Sequence, residues 1–510
     1  MLGFEVDHNS DKCPEATSKT LHSRSVTHHH LECMRSHMSA SYSTTWSEAT
    51  SKFVQAAQAS QARMIKLKLS PELTSPTSEP LHIDVAVWES DDSPTKDALV
   101  YTAGVHGVEG FAGSAIMITL CSKIKQNQLP SGMKIIFIHV INPYGMSHWR
   151  RWNEENVDLN RNNLASDADF AIRRDTPNAV YVKYDDFINP TKKLSACDCF
   201  TPRLICLICK EGFNNGKQAL AGGQSHTSRG LFYGGVQWEE TPRRVFQMLE
   251  SEGISSTSTT LQTLFHVDIH TGVGPFKHDS LLAENVFLPE LEEMLGTRGA
   301  LKGCDWHLDG IGDWVQFPSK EGQDKEGRVK EEGEEENEEE KEGEPEPEQE
   351  EEPEHCNGES KETEDILINV DGGKDGVTKK AKDGVAYEAK GHIGGGLFYK
   401  SIPRRVQEKG KFVSVTQEFG TIKGTKIFSL LRAENALTFD KESSGVTSGG
   451  GGGSSGSSSS RSDILFSSPE RQRLFNAFCP ADPAWRSFVV ARGEIVFDLA
   501  RKKLLSMVSK

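Results

Sequence analysis

Two histidines and one glutamate, His106, Glu109 and His270, have the types and spacing that could hold a catalytic metal ion. Each stands where an apolar, strand-like run ends and a loop begins. Imidazole and carboxylate are ligands that suit zinc, and three protein ligands leave a fourth position for water, as in catalytic zinc sites. The three residues therefore predict one zinc ion per chain, which would polarise a carbonyl and lower the pKa of its water.

The first two of these residues lie in a short glycine-rich segment, and their spacing alone is a weak signal. The chain has 17 histidines, so a His-x-x-Glu pair also arises by chance. Gly104, Gly107 and Gly110 flank the pair, and glycine accepts backbone conformations that other residues avoid. The sharp turn that they permit favours the metal-site interpretation.

A segment dense in arginine and asparagine, residues 142–163, supplies candidates for binding an anion. An arginine guanidinium binds a carboxylate through two parallel hydrogen bonds, so this segment suits a substrate carboxylate or a developing oxyanion. Asp158, Asn160 and Arg161 alternate within it, which we interpret as one extended stretch. The alternative is a solvated loop with structural salt bridges.

A hydrolytic zinc site also needs a base for its water, and Glu418 is the best candidate outside the acidic part of the chain. It follows an apolar, strand-like run at 411–417. Because glutamate is mostly a surface residue, an exposed glutamate without a catalytic role is the alternative.

Helical and strand-like segments alternate around these residues. Residues 45–59 have apolar positions on one helical face, whereas 81–88, 97–104 and 134–141 are strand-like in content and alternation. A helix is predicted between the last two strands. The alternation predicts an α/β fold, a single domain with a mixed, mostly parallel sheet flanked by helices, whose sites gather where strands end.

Polar segments interrupt this pattern and divide the chain. Residues 331–354 hold 16 glutamates and one lysine, a charge of −15, while the whole chain carries −16. Like charges repel, so we expect a disordered insert that adds solubility or binds a basic protein partner and takes no part in catalysis. The predicted organisation is a disordered leader (1–43), a first catalytic part (44–318), the acidic insert (319–393), a second catalytic part carrying the general base (394–442), a Gly/Ser linker (443–461) and a C-terminal helical extension (462–510).

Composition also indicates which binding partners and which cellular compartment to expect. Outside the acidic segment the net charge is close to zero, so the basic surface that nucleic-acid binding needs is not expected. No stretch reaches the roughly 20 apolar residues of a membrane span, and the N-terminus lacks the regions of a secretory signal. We therefore expect a cytoplasmic protein that binds neither nucleic acid nor membrane.

A group of cysteines between residues 197 and 209 could form a second, structural metal site. The pattern is Cys-x-Cys followed by Cys-x-x-Cys, at Cys197, Cys199, Cys206 and Cys209. The middle spacing is short for a zinc ribbon, and Leu-Ile-Cys-Leu-Ile-Cys is equally typical of a buried strand or a loop insertion. Both interpretations stay open.

A set of motifs in a fixed order makes the chain resemble the zinc carboxypeptidase (carboxypeptidase A-like) family, in its uncharacterised cytosolic branch. The motifs are Gly-Val-His-Gly-Val-Glu-Gly (104–110), Asn-Pro-Tyr-Gly-Met (142–146), Asn-Val-Asp-Leu-Asn-Arg-Asn (156–162), Gly-Leu-Phe-Tyr-Gly-Gly (230–235) and Asp-Ile-His-Thr-Gly (268–272). The resemblance covers residues 45–318 and 394–440, with the C-terminal helices as an extension, and it implies the α/β fold of that family.

The resemblance also implies roles for the candidate residues around the metal. His106, Glu109 and His270 would be the zinc ligands, and Glu418 would be the general base. Asp158 would orient His106, as a carboxylate commonly does for a metal-bound imidazole.

The arginine segment receives its roles from the same resemblance. Arg151 would stabilise the tetrahedral oxyanion, with Arg150 as the alternative one residue away. Asn160 and Arg161 would grip the terminal carboxylate of the substrate. The substrate-covering tyrosine of the family has no clear match, since the surroundings of Tyr399 repeat those of residues 230–245 instead.

The activity that the resemblance implies is hydrolysis of an amide bond next to a free carboxylate, as in a metallocarboxypeptidase acting on a peptide. A zinc-dependent deacylase of N-acyl amino acids would need the same residues, so only its substrate distinguishes it. A catalytically inactive binding protein is the other alternative, although such a protein would need neither an open zinc position nor a base.

Overall fold

The computed structural model describes residues 40–164, 166–192, 194, 198–212, 215–216, 222–283, 308–309, 313–317, 394–398, 401–409, 411–439 and 468–508. The expected insert and linker, Cys197, Tyr399 and most of the expected leader lie outside these residues. At the end of that leader, Ser41, Tyr42 and Ser43 are buried, so the packed part of the chain includes them.

A mixed sheet of nine strands runs through the described part of the chain. Its strands are β1 (Arg63–Lys68), β2 (His82–Glu89), β3 (Asp97–Ala103), β4 (Met133–His139), β5 (Thr263–Gly272), β6 (Asp279–Ala283), β7 (Leu308–Asp309), β8 (Asp313–Phe317) and β9 (Phe412–Gly420). They lie side by side in the order β1-β2-β4-β3-β5-β9-β6-β8-β7.

The four central strands, β4, β3, β5 and β9, run parallel. The strands on either side of them pair antiparallel. Every residue of β3 and β5 is buried, as expected for strands with both faces covered. The predicted α/β fold with a mixed sheet flanked by helices is confirmed, and the parallel part of the sheet is its centre.

Helices precede, connect and follow the strands. They are α1 (Trp46–Ala59), α2 (Gly110–Cys121), α3 (Pro143–Ser147), α4 (Asp167–Asp175), α5 (Ala179–Lys183), α6 (Asp185–Ile188), α7 (Phe200–Glu211), α8 (Glu240–Ser251), α9 (Arg404–Glu408), α10 (Gly424–Phe439), α11 (Pro469–Phe478) and α12 (Pro483–Val508). None of these described helices combines the length and the apolar character needed to cross a membrane.

Two of the helices that pack on the sheet follow simple sequence rules. Helix α1 begins after Thr45, whose side chain accepts a hydrogen bond from the backbone N–H of Glu48, and it buries Trp46 and Phe53. Helix α2 is apolar on all sides and almost wholly buried, because it lies between the sheet and other helices. Helices α2 and α12 both pack on β3 and β5, the strands that lead to the candidate metal ligands.

The cysteine segment is helical, so the strand or loop predicted for it is wrong. Leu204 and Leu207 are the buried residues of α7, and their helical spacing prevails over the short apolar run. Cys199, Cys206 and Cys209 are exposed free thiols. Among the residues that the structure describes, these cysteines are not gathered as metal ligands.

Candidate active site

His106 and Glu109 lie on one side of a single tight turn. The chain leaves β3, and a 3₁₀ helix at Gly107–Glu109 begins directly after His106. A 3₁₀ helix has three residues per turn, so side chains three apart project in the same direction. The His-x-x-Glu spacing thereby brings the imidazole and the carboxylate together.

Two glycines make this turn possible. Gly104 has a φ of +66°, which an L side chain rarely adopts. A β-carbon on Gly107 would lie 2.2 Å from the backbone carbonyl carbon of Gly145, so only glycine lets the two loops approach this closely. The histidine turn and the Asn-Pro-Tyr-Gly-Met segment therefore fit together as one unit.

His270 comes from the end of β5 and faces Glu109. Its Nδ1 lies 3.0 Å from Glu109 Oε2, and its Nε2 lies 2.7 Å from Asp268 Oδ2. Burial opposes a charge on His270, but the flanking carboxylates Asp268 and Glu109 raise its pKa well above the ordinary value. Without a metal, the two carboxylates therefore favour the charged form of this imidazole.

The donor set fits a zinc ion. His106, Glu109 and His270 are buried, and one ligand atom from each lies within 4.8 Å of the others. Burial and the nearby Arg151 hold the pKa of His106 well below its ordinary value, which keeps the ring in the neutral form that binds metal. Its Nδ1 is buried and has no hydrogen-bond partner among the described residues. Two imidazoles and one carboxylate match the ligands of catalytic zinc sites.

Arg151 stands beside two of these three candidate ligands. Its Nη2 lies 2.6 Å from His106 Nε2, and its Nη1 donates to Glu109 Oε1 over 3.1 Å. The backbone carbonyls of Arg150 and Arg151 accept hydrogen bonds from the N–H groups of Val108 and Gly107, which fixes the arginine segment against the histidine turn. The guanidinium group of Arg151 thus contacts two of the three side chains that would bind the metal ion.

Asp158 lies between the arginine segment and His106 and is fully buried. Its Oδ1 is 3.5 Å from His106 Nδ1 and accepts the backbone N–H of Asn160, while its Oδ2 is 3.4 Å from Arg151 Nε. The backbone N–H of Asp158 donates to the carbonyl of Tyr233, within the Gly-Leu-Phe-Tyr-Gly-Gly motif. That motif therefore holds the aspartate in position.

Glu418 is a buried carboxyl near the candidate ligands. It lies on β9 as the Cα partner of His270 on β5, and its Oε1 accepts the backbone N–H of Val273 over 2.9 Å. Burial and the charge of Glu109 raise its pKa to about 8, against the opposite effect of His270. A carboxyl with a pKa near neutrality is suited to both accepting and donating a proton.

The two neighbouring arginines have separate environments. Arg150 is buried away from the candidate ligands, with its Nε 2.8 Å from Glu434 Oε1 and its Nη2 donating to Asn156. Arg151 contacts His106 and Glu109 as described above. Of the two, Arg151 is the one that the fold directs to the candidate metal ligands.

Asn160 and Arg161 lie on a short 3₁₀ helix, Leu159–Arg161, so the extended stretch predicted there is wrong. Asp158 precedes this helix and caps it through its side chain, which favours the helical turn over an extended strand. Arg161 is buried and donates to the carbonyl of Asn160. Its charge contributes to the lowered pKa of His106, which places it in the neighbourhood of the site.

Asp268 is a site residue whose role sequence reasoning missed. It stands two residues before His270, and side chains two apart on a strand project from the same face. The Asp-x-His spacing within Asp-Ile-His-Thr-Gly was therefore a signal that this carboxylate would meet the imidazole. The sequence alone predicts this orienting role only for Asp158.

Residues 42–293 match the model of a family described as a protein of unknown function, DUF2817. No curated protein matches the chain. The family match includes His106, Glu109 and His270 but ends before Glu418.

Several solved structures resemble parts of the chain. One is thrombin activatable fibrinolysis inhibitor, with 15% identity over 48% of this chain and 56% of that one, at a TM-score of 0.26. A putative succinylglutamate desuccinylase/aspartoacylase from Shewanella frigidimarina is 16% identical over 45% of this chain and 51% of that one, with a TM-score of 0.24. Carboxypeptidase A from Helicoverpa armigera is 12% identical over 51% of this chain and 56% of that one, with a TM-score of 0.26. The chain thus spans about half the length of these structures, and the site's own side chains are the guide to its chemistry.

Proposed function

We propose that this protein is a zinc-dependent hydrolase that cleaves an amide bond next to a free carboxylate, as a metallocarboxypeptidase does. The observation that carries this proposal is the buried group of His106, Glu109 and His270, with Glu418 on the neighbouring strand as the Cα partner of His270. A binding protein would need neither a buried base beside the ligands nor a cationic side chain among them. One zinc ion held by these residues would polarise the substrate carbonyl and make water more acidic.

Glu418 would move the proton in this reaction. Its carboxylate would accept the proton of the attacking water and then donate it to the amide nitrogen that leaves. In the metal-free protein, burial and Glu109 raise the pKa of Glu418 to about 8. Nearby positive charge lowers the pKa of a carboxyl, so the bound cation would favour the ionised form that can act as a base.

Arg151 would stabilise the negative charge that develops on the carbonyl oxygen. Its guanidinium already lies within hydrogen-bond distance of His106 and Glu109, so it borders the place where the carbonyl would be attacked. A hydrogen-bond donor directed at a developing oxyanion commonly increases kcat by a factor of about 10²–10³. Arg161, with Asn160 beside it, would bind the substrate carboxylate and so select a bond next to a free acid.

The decisive experiment measures turnover by the zinc-loaded full chain on three substrate classes. These are peptides with a free C-terminus, the same peptides amidated at the C-terminus, and N-acyl amino acids. Glu418→Gln tests the base, and Glu408→Gln, on the exposed face of α9, is the matched control. We expect turnover of substrates with a free carboxylate, its loss in Glu418→Gln and its retention in Glu408→Gln.

The pattern of substrates also decides between the two hydrolase reactions. Turnover of free-ended peptides alone supports a carboxypeptidase, and turnover of N-acyl amino acids alone supports a deacylase. Equal turnover of amidated peptides would remove the carboxylate requirement. A zinc-loaded protein without Glu418-dependent turnover of any of these substrates would overturn the enzymatic function.

We further propose a location in the reducing cytoplasm. The cysteines within the described residues, at positions 121, 199, 206, 209 and 479, are free thiols, which fits a reducing compartment. Fractionation of cells that express the full chain tests this location, and recovery of the protein with secreted material would contradict it.

A further inference from the structure

A buried row of polar side chains continues from His270 into the sheet. On β5, His266, Asp268 and His270 alternate with apolar residues, so the three project from the same face. The neighbouring strands contribute Thr102 from β3 and Ser414 from β9, which are the Cα partners of Asp268 and His266. All five residues are buried, and their row ends at a candidate metal ligand.

Hydrogen bonds join these residues without a break. His270 Nε2 lies 2.7 Å from Asp268 Oδ2, and Thr102 Oγ1 donates to Asp268 Oδ1 over 2.7 Å. Thr102 Oγ1 also lies 2.9 Å from His266 Nε2. His266 Nδ1 in turn lies 2.9 Å from Ser414 Oγ.

The chemistry of the groups fixes the direction of the hydrogen bonds that Thr102 makes. Threonine has one hydroxyl proton, which it donates to Asp268, so its oxygen can only accept from the Nε2–H of His266. The other ring nitrogen, Nδ1, meets the hydroxyl group of Ser414, which can either donate or accept a hydrogen bond. Asp268, with one oxygen bonded to Thr102, accepts the Nε2–H of His270 on the other.

The ring of His266 is also held from its face. The aromatic ring of Phe398 stacks on it, with centroids 3.8 Å apart and 20° between the planes. Phe398 is fully buried on a short π-helix, Gly394–Phe398, that packs on β5 and β9. Hydrogen bonds at both nitrogens and this stacking leave the imidazole one orientation.

We propose that Thr102 and His266 are positioning residues of the metal centre. By holding one oxygen of Asp268, they direct its other oxygen to His270 Nε2, and so present His270 Nδ1 as the ligand atom. This role, which rests on the proposed zinc site, involves no contact with substrate. Partners beyond the ligands of a metal typically change its affinity by about 10–100-fold, so we expect an effect of about tenfold from the outer residue Thr102.

The test compares zinc affinity in matched variants of the full chain, measured by competition with a chromogenic chelator. Thr102→Val removes the hydroxyl at nearly constant shape, whereas Thr102→Ser keeps it. We expect Thr102→Val to bind zinc about tenfold more weakly and Thr102→Ser to bind as the wild type does. Because His266 acts through Thr102, His266→Leu should weaken zinc binding in the wild type but add little to Thr102→Val.

Each outcome separates this role from the zinc site itself. A wild type that binds no zinc overturns the proposed metal site. A wild type that binds zinc with the same affinity as Thr102→Val overturns the positioning role, as does an equal loss in Thr102→Val and Thr102→Ser. If circular dichroism shows that Thr102→Val does not fold, His266→Gln, which keeps a donor for Thr102, is compared with His266→Leu. Equal zinc affinity in that pair overturns the role as well.

Discussion

His270 and Glu418 are Cα partners on the adjacent parallel strands β5 and β9. Pairing in register places a candidate ligand and the candidate base side by side, although their strands lie far apart in the chain. On the other side of β5, β3 leads into the turn that carries His106 and Glu109. The site therefore forms where three parallel strands end, which is where open α/β sheets bind ligands.

Replacing Glu418 with glutamine should remove catalysis and leave the metal in place. Glutamine keeps the shape of the side chain but cannot accept a proton, so we expect kcat to fall about 10²–10⁴-fold. Glu418 is not among the three candidate ligands, so zinc content should stay at the wild-type level. Steady-state kinetics and metal analysis on the same samples check both parts, and loss of zinc together with activity would make Glu418 a ligand instead.

Zinc binding should strengthen as pH rises through neutrality and should release protons. Asp268 and Glu109 raise the pKa of His270 well above its ordinary value against burial, so the metal-free protein must lose a proton before His270 can bind zinc. Glu418, whose pKa is raised to about 8 by burial and Glu109, should lose its proton when the cation binds. Calorimetry in two buffers of different ionisation enthalpy measures the release, and an affinity that is flat between about pH 6 and about pH 8 would contradict it.

The raised pKa values of His270 and Glu418 also predict how the stability of the metal-free protein depends on pH. Both folded-state pKa values are raised, so the stability that these groups contribute is present below their unfolded pKa values and is lost as pH rises through the folded ones. Metal-free protein should therefore lose thermal stability as pH rises through about 8, and bound zinc should reduce that loss. Thermal unfolding with and without zinc checks this, and a metal-free protein that gains stability over this range would refute the assignment.

Local sequence patterns predicted the parts of the site that are built from residues close together in the sequence. The His-x-x-Glu spacing, with Gly104 and Gly107 beside it, predicts a turn that brings His106 and Glu109 together, and the structure has that turn. The strand and helix alternation predicts the sheet from periodicity alone. Pairing between strands cannot be predicted in this way. A single sequence carries no signal for the register that places Thr102 opposite Asp268.

Competing local effects explain the predictions that were wrong. The cap that Asp158 places on Leu159–Arg161 outweighs the alternation of residue types that favoured an extended stretch. In α7, the helical spacing of Leu204 and Leu207 outweighs a short apolar run.

Replacing Arg150 should mainly reduce stability, whereas replacing Arg151 should mainly reduce activity. Arg150→Met leaves Glu434, which is fully buried, without one of its cationic partners and should cost about 3–5 kcal/mol of stability. Arg151→Met should lower kcat about 10²–10³-fold through loss of the oxyanion donor. It should also tighten zinc binding, because the guanidinium no longer repels the ion or competes for His106 and Glu109. Unfolding curves, kinetics and zinc affinity for both variants check this, and weaker zinc binding in Arg151→Met would refute the competition.

Gly107→Ala should damage both the fold and the metal site, because the new methyl group would meet the backbone of the neighbouring loop at Gly145. Forcing extra atoms into a packed site typically costs about 1–3 kcal/mol, and a clash with backbone belongs at or above the upper end of that range. The displaced turn carries His106 and Glu109, so zinc affinity should fall as well.

Gly424→Ala, at the start of α10, is the control because its β-carbon would meet nothing within 4 Å. That variant should keep wild-type zinc affinity and be as stable or up to about 1 kcal/mol more stable. Chemical unfolding and zinc titration of the two alanine variants measure the difference, and equal behaviour would mean that the histidine turn does not need its close approach to the Asn-Pro-Tyr-Gly-Met loop.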